Sequence, residues 1–161
     1  MKRLVAGGLL SLLVMGLASA VEAFYVEGLM SGMSSSTVEK ILEKHGYEVI
    51  AIEANGDIVA RNGQDVSRTI TAEFCTDRLI QVRNDYAPTF ANFVRLVEQK
   101  RQELGAPASV KVVPAKAEPK ADADAISFNW LDKETVIEIF YKVSEQSQQV
   151  AVSHRLKQSC Q

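Results

Sequence analysis

The chain has few of the residues that reactive or metal-binding sites need. Its 161 residues include two histidines, two cysteines and one tryptophan. A zinc site usually takes three or four ligands, and neither a Cys-x-x-Cys nor a His-x-x-x-His spacing occurs. The sequence also lacks a Gly-x-Ser-x-Gly nucleophile elbow and a phosphate-binding glycine loop. It therefore predicts no metal site, no cofactor and no enzymatic activity.

The remaining polar candidates have ordinary structural explanations. His45 stands at the end of a predicted helix, and His154 alternates with apolar residues of a predicted strand. Asp132 and Glu134 form a carboxylate pair that could do acid–base chemistry, but they flank a predicted turn between strands. Solvated charge is the ordinary role of carboxylates at such a turn.

A basic excess is missing as well. The chain has 18 basic and 20 acidic residues. If residues 1–20 are removed, as predicted in the next paragraph, Lys2 and Arg3 are lost. The remaining chain has 16 basic and 20 acidic residues, a net charge of −4. Nucleic-acid binding depends on basic side chains that neutralise phosphates, so the sequence predicts no nucleic-acid partner.

Only the first residues form a long apolar run. Lys2 and Arg3 precede the apolar residues 4–17, and Ala18-Ser19-Ala20 then supplies the small side chains of a cleavage site. The run is shorter than the roughly 20 residues of a membrane span. We predict a cleaved export signal at residues 1–20, with cleavage after residue 23 as an alternative. The mature chain is expected in the periplasm or outside the cell, without a membrane span.

Export changes what the two cysteines mean. In an oxidising compartment an even number of cysteines favours a disulfide, here Cys75 with Cys160. Two free thiols are the alternative. No cysteine lies near the cleavage site, so a bacterial lipid anchor has no attachment point.

Periodicity predicts a helix followed by four strands in the first half of the mature chain. A capping box of Ser36 and Glu39 starts the helix, and Gly46 ends it. Asn55-Gly56 predicts a two-residue hairpin with positive φ at both positions. The predicted strands are residues 48–54, 57–62, 66–75 and 78–83.

The second half follows the same order. A helix is predicted to begin near Pro88 and to end at Gly105. Its predicted buried stripe consists of Phe90, Phe93, Val94, Val97 and Leu104. The predicted strands are residues 108–113, 125–131, 135–143 and 148–160. Residues 114–125 contain no bulky apolar side chain and are predicted to form a solvated loop.

These elements predict an α+β fold of the order αββββ-αββββ. We expect a single compact domain at residues 24–161, with two similar halves at 28–85 and 86–161. Each half would supply one amphipathic helix, and the helices would pack on one face of antiparallel sheet while the other face meets water.

The start of the mature chain resembles a known family. The residues Gly28-Leu-Met-Ser-Gly-Met-Ser34, followed by Val38-Glu-Lys-Ile-Leu42 and Gly46-Tyr47, are similar to the opening of the small exported SmpA/OmlA (BamE-like) domains. The resemblance covers about residues 28 to 85. It implies a β-lactamase-inhibitor-protein-like fold, with helices on antiparallel sheets, and a binding or inhibitory role in the cell envelope. The missing lipid-anchor cysteine separates this chain from the outer-membrane lipoproteins of that family.

Surface recognition is the function that these observations favour. We predict an exported, non-catalytic module that binds a protein partner in the envelope or outside the cell, either as an inhibitor of a secreted enzyme or as an envelope-assembly accessory. The alternative is a small molecule or lipid held between helices and sheet. The candidate contacts are Phe24, Tyr25, Met30, Met33, Tyr86 and Trp130. Five of these residues have a structural alternative. Phe24, Tyr25, Met30 and Met33 would fold back onto the sheet instead, and Trp130 would belong to the core.

Overall fold

A computed structural model of the chain describes residues 23–114, residues 123–157 and residue 160. The predicted export signal and most of the predicted loop at 114–125 therefore lie outside the described residues. Within these ranges, no helix is both long enough and apolar enough to span a membrane. Twelve elements follow one another along the described chain. They are β1 (Tyr25–Val26), β2 (Leu29–Met30), α1 (Ser35–Lys44), β3 (Tyr47–Ile52), β4 (Ile58–Asn62), β5 (Thr69–Cys75), β6 (Arg78–Tyr86), α2 (Phe90–Leu104), β7 (Ser109–Val113), β8 (Asp124–Asp132), β9 (Thr135–Val143) and β10 (Gln148–Leu156).

Eight of the strands form one antiparallel sheet in the order β3-β4-β5-β6-β10-β9-β8-β7. Strands β6 and β10 pair in the centre of this sheet, and β1 pairs with β2 as a separate hairpin. Two helices and a large antiparallel sheet confirm the α+β prediction. The strands predicted at 135–143 and near 125–131 are confirmed almost to the residue, because apolar residues recur at every second position of each.

Both helices lie on the same face of this sheet. Residues directly opposite each other on antiparallel strands share a face. Ala72 pairs with Val82, Val82 with His154, and His154 with Ile137, so this face runs through strands β5, β6, β10 and β9. We call it the covered face, and the opposite one the bare face. Helix α1 packs on β3 and β4, and helix α2 packs on β9 and β10.

The covered face carries two apolar cores, one under each helix. The α1 core joins Val38 and Leu42 to strand residues that include Ile58 and Ile70. The α2 core joins Phe93 and Val97 to strand residues of β8, β9 and β10. Burying such side chains stabilises the fold by about 1.5–3 kcal/mol each.

Helix α2 buries a different stripe from the predicted one. Its buried residues are Phe93, Leu96 and Val97, whereas Phe90, Val94 and Leu104 are exposed. The i, i+3, i+4 spacing from Phe93 forms the stripe that faces β9 and β10. The predicted stripe mixed two neighbouring sides of the helix, both of them apolar. Gly105 ends the helix with φ 81° as predicted.

The N-terminus of α1 is capped from another part of the chain, so the predicted capping box is wrong. The helix begins at Ser35, and the Ser34 hydroxyl bonds to Thr37 Oγ1 at 2.9 Å instead of capping. Asp77, in the turn between β5 and β6, accepts hydrogen bonds from the Ser35 backbone N–H at 2.9 Å and the Ser35 hydroxyl at 2.7 Å. A carboxylate at this end also favours the helix dipole.

The turn between β3 and β4 is longer than predicted. Glu53 N–H donates to the Asp57 carbonyl at 2.8 Å, and Gly56 N–H donates to the Glu53 carbonyl at 2.9 Å. Gly56 has φ 88°, and Asn55 does not take positive φ. The Asn55 side-chain amide instead donates to Asp57 Oδ2 at 2.7 Å, which holds Asn55 in an ordinary turn conformation.

The predicted disulfide is present. Cys75 at the end of β5 is bonded to Cys160, with a Cα–Cα distance of 5.7 Å and a sequence separation of 85. The bond joins the middle of the chain to its last residues and so links β5 to the segment that follows β10.

Candidate functional site

The bare face of the sheet is polar over its central strands β5, β6 and β10, and the side chains there bond to one another. Arg83 donates to Asp85 Oδ2 and to Thr71 Oγ1, both at 3.1 Å. Gln149 donates to the other Asp85 oxygen at 2.7 Å. Burial raises the pKa of the Glu73 carboxyl, which accepts a hydrogen bond from a glutamine on β6. These groups satisfy each other, so this face resembles a stable polar sheet surface more than a reactive site.

An apolar groove lies between α2 and the β7–β8 end of the covered face. Its volume is about 530 Å³, and residues of α2, β8 and the connection after α2 line it. Phe90, which is 59% exposed, and Val94 form the helix wall, while Ile126 and Phe128 form the strand floor. The ring of Phe93 beneath the groove is 5.9 Å from Phe90 and 5.8 Å from Phe128 between centroids. Aromatic packing of this kind makes the floor rigid.

The groove continues onto the edge of the sheet. Val110 of β7 lies opposite Phe128, and Val112 opposite Ile126, so both valines share the groove's face. Val112 is 67% exposed. Strand β7 is the last of the sheet, and no strand in the described part of the chain pairs with its outer side. We call the residues Phe90, Val94, Val110, Val112, Ile126 and Phe128 the groove–edge surface.

Two of the predicted contact residues are not on the surface. Phe24 is only 6% exposed and belongs to the α1 core. Trp130 is 2% exposed, and its indole N–H donates to the Gly105 carbonyl at 3.0 Å. Both residues follow the structural alternative given for them above, because burial of a large aromatic side chain in an apolar core stabilises the fold.

The other predicted contacts do not form one patch. Tyr25 is exposed, but Met30 and Met33 are half-buried, and Met33 packs against the α1 core. The lead-in is held in place, since the backbone N–H of Ser31 donates to the Phe24 carbonyl at 3.2 Å. Tyr86 lies under the guanidinium of an arginine and packs against the α2 core.

Sequence reasoning missed the groove–edge surface. The sequence predicts Phe90 and Val94 as core residues of α2. Val110 and Val112 alternate on a predicted strand, but alternation does not show that the strand is last in its sheet. The signal that could have found the surface is the surplus of apolar residues on α2 relative to the width of one buried stripe.

The described residues contain no group of three or more histidine, cysteine or acidic side chains placed to hold a metal ion. Asp132 and Glu134 lie exposed at the turn between β8 and β9.

Comparisons of the chain with protein-family models, with curated proteins and with solved structures give no significant match. The resemblance to the SmpA/OmlA (BamE-like) domains therefore stays a prediction. The groove–edge surface is the feature from which a function can be argued.

Proposed function

We propose that the mature chain is an exported, non-catalytic module that binds an extended segment of a protein partner in the envelope or outside the cell. The observation that supports this proposal is the groove–edge surface. Exposed apolar patches of this kind mark interaction sites, because solvating them costs free energy that a partner recovers. An inhibitor of a secreted enzyme or an envelope-assembly accessory would both use such a surface.

The open edge of β7 determines the form of the partner. An unpaired strand offers a row of backbone N–H and C=O groups, which a second strand can pair with. Successive side chains of that added strand point to opposite faces of the sheet. Every second side chain would therefore lie beside Val110 and Val112 on the groove's face. Those side chains should be apolar, and the ones between them should be polar.

Two further features support the proposal. The Cys75–Cys160 bond is consistent with an oxidising, exported location. Residues 28–85 and 86–161 each supply one helix and four sheet strands, and we propose that they are two halves with one plan. The resemblance to the β-lactamase-inhibitor-protein-like folds implies such a repeated arrangement of helix and sheet. We therefore include inhibition of a secreted enzyme in the proposal.

Selection of displayed random peptides on the mature protein tests the proposal. We expect the enriched peptides to alternate apolar and polar residues with a period of two. Val112→Asp should weaken binding of the selected peptides at least tenfold, because a charge on the groove's face would be desolvated. Val66→Asp is the matched control, since Val66 is 72% exposed in a loop outside this surface. Failure to enrich any peptide would reject protein binding at this surface.

A lipid or other small apolar molecule is the second candidate for the same groove. The observation that favours it is the groove's volume of about 530 Å³, which lies within the range of small-molecule pockets, together with its aromatic lining. Native mass spectrometry of the exported protein would show a bound mass that is lost in Val94→Asp. A bound acyl chain with no peptide enrichment would select this candidate over the first.

A further inference from the structure

A second cavity lies on the covered face between the two cores. It has a volume of about 140 Å³ and lies over the central strands β6 and β10, enclosed by residues of the β1–β2 hairpin and of α2. Val26, Leu96, Ile139 and Val152 supply apolar walls. The polar lining residues are Glu27, Asn84, Tyr86, Gln99, Lys100 and His154. This cavity is separate from the groove–edge surface.

Two of the polar lining residues, Asn84 of β6 and His154 of β10, lie on the covered face among apolar strand residues. Asn84 is 4% exposed at the centre of the covered face, and its side chain makes no hydrogen bond with the described residues. His154 Nδ1 is buried and also lacks a partner among the described residues. Buried polar groups in native proteins nearly always have partners, so the unpartnered His154 Nδ1 needs an explanation. The Asn84 amide is free to bond to whatever occupies the cavity.

The charged groups of the lining are already paired. Glu27 binds Arg68 at 2.7 Å, and Lys100 binds Glu103 at 2.5 Å. Burial, aided by the Lys100 ammonium, lowers the pKa of His154 to about 4, and this imidazole is neutral near pH 7. The groups that remain free to bind are therefore uncharged: an amide, an imidazole and the Tyr86 hydroxyl. A charged ligand would find the opposite charges of the lining already neutralised by their ion-pair partners.

We propose that this cavity binds a small uncharged molecule that both donates and accepts hydrogen bonds, held by Asn84 and His154. Amides and polyols have this chemistry. The cavity has the volume of roughly five liquid waters, which is enough for a molecule of this class. The Asn84 amide offers two donors and one acceptor, and the neutral imidazole offers one of each.

Substitution of Asn84 separates this role from a structural one. Asn84→Leu nearly preserves the volume and removes from the cavity wall an amide that bonds to no other described residue. Such a change stabilises a protein when the amide has no structural partner. We therefore expect Asn84→Leu to raise the Tm. The same variant should bind the uncharged probes used below, acetamide and glycerol, at least tenfold more weakly. Asn129→Leu, on the bare face and outside the cavity, is the matched control.

The experiment is nitrogen NMR of the two imidazoles in the mature protein, titrated with acetamide and with glycerol, and with acetate and methylammonium as charged counterparts. His45 is exposed at the end of α1 and serves as the internal control. We expect saturable movement of the His154 signals with at least one uncharged probe, at millimolar concentration, while the His45 signals stay unchanged. The charged probes should bind at least tenfold more weakly.

Three results would each overturn the proposal. The first is that neither uncharged probe moves the His154 signals in a saturable way. The second is that the charged probes bind as well as the uncharged ones. The third is that Asn84→Leu fails in either of its two expected effects. Wild-type binding of acetamide or glycerol would show that Asn84 does not hold the ligand, and a lower Tm would assign Asn84 to the support of structural water alone.

Discussion

His154 should make the stability of this protein depend on pH well above the range of its carboxylates. The imidazole lies between Val82 and Ile137 on the covered face, and burial, aided by the Lys100 ammonium, lowers its pKa from 6.5 to about 4 in the folded state. In the unfolded chain it titrates at its ordinary value. Between about pH 6.5 and pH 4 the unfolded state therefore binds the extra proton, and the free energy of unfolding falls as the pH is lowered.

The size of the effect follows from the difference between the two pKa values. At 1.36 kcal/mol for each pKa unit, the full loss below pH 4 is about 3 kcal/mol, of which about 2 kcal/mol is lost between pH 7 and pH 5. Glu73 acts in the opposite direction, because burial raises the pKa of its carboxyl and the folded state binds its proton more readily. The contribution of His154 must therefore be measured as a difference between variants.

Urea unfolding at pH 7, 6 and 5 measures this difference. We expect the wild type to lose about 2 kcal/mol more than His154→Asn over that interval, since the variant keeps every other titrating group. His45→Asn is the control, because His45 is exposed and should follow the wild-type curve. Parallel curves for the wild type and His154→Asn would refute the reasoning.

Two further predictions concern the links between distant segments. Reduction of the Cys75–Cys160 bond, or Cys75→Ser with Cys160→Ser, should lower the free energy of unfolding by about 4–5 kcal/mol, as the chain-entropy model gives for a loop of this length. Thermal unfolding with and without reductant measures this effect. An unchanged Tm would contradict the prediction. Asp77→Ala should lower the Tm because the Ser35 N–H at the start of α1 loses its acceptor, whereas Asp77→Asn, which keeps an oxygen there, should lower it less. The hydrogen bonds from Ser35 also lower the pKa of Asp77, so its contribution should disappear as the pH falls through the folded-state pKa. Equal Tm values for the two variants would rule out this cap.

Local chemistry made several features predictable. Gly46 and Gly105 have φ 79° and 81° where the sequence predicts helix ends, because a residue without a Cβ takes this conformation at little cost. In the strand from Thr135 to Val143, apolar residues recur at every second position from Ile137 to Val143, so its buried face follows from its own residues. The disulfide between Cys75 and Cys160 is predictable because the chain has only two cysteines and an oxidising compartment favours their pairing.

The candidate sites were far less predictable. Val110 and Val112 form part of the groove–edge surface because β7 is last in the sheet, and strand order is a matter of long-range pairing. His154 was seen as an alternating residue of a strand, but its opposition to Val82 and its place beside Lys100 arise from the pairing of β10 with β6 and the position of α2. No short-range pattern in the sequence carries this information.

The sequence by itself determined that the two helices end at Gly46 and Gly105, which strand residues share a face, and how many cysteines can pair. Each of these depends on a residue and its near neighbours. The tertiary structure decided that α2 buries the stripe of Phe93 and Val97 and leaves Phe90 exposed, that Asp77 caps α1, and that Asn84 faces a cavity. These depend on which distant surface comes into contact, since an apolar side chain or a hydrogen-bond donor is satisfied by whatever neighbour the whole fold brings to it.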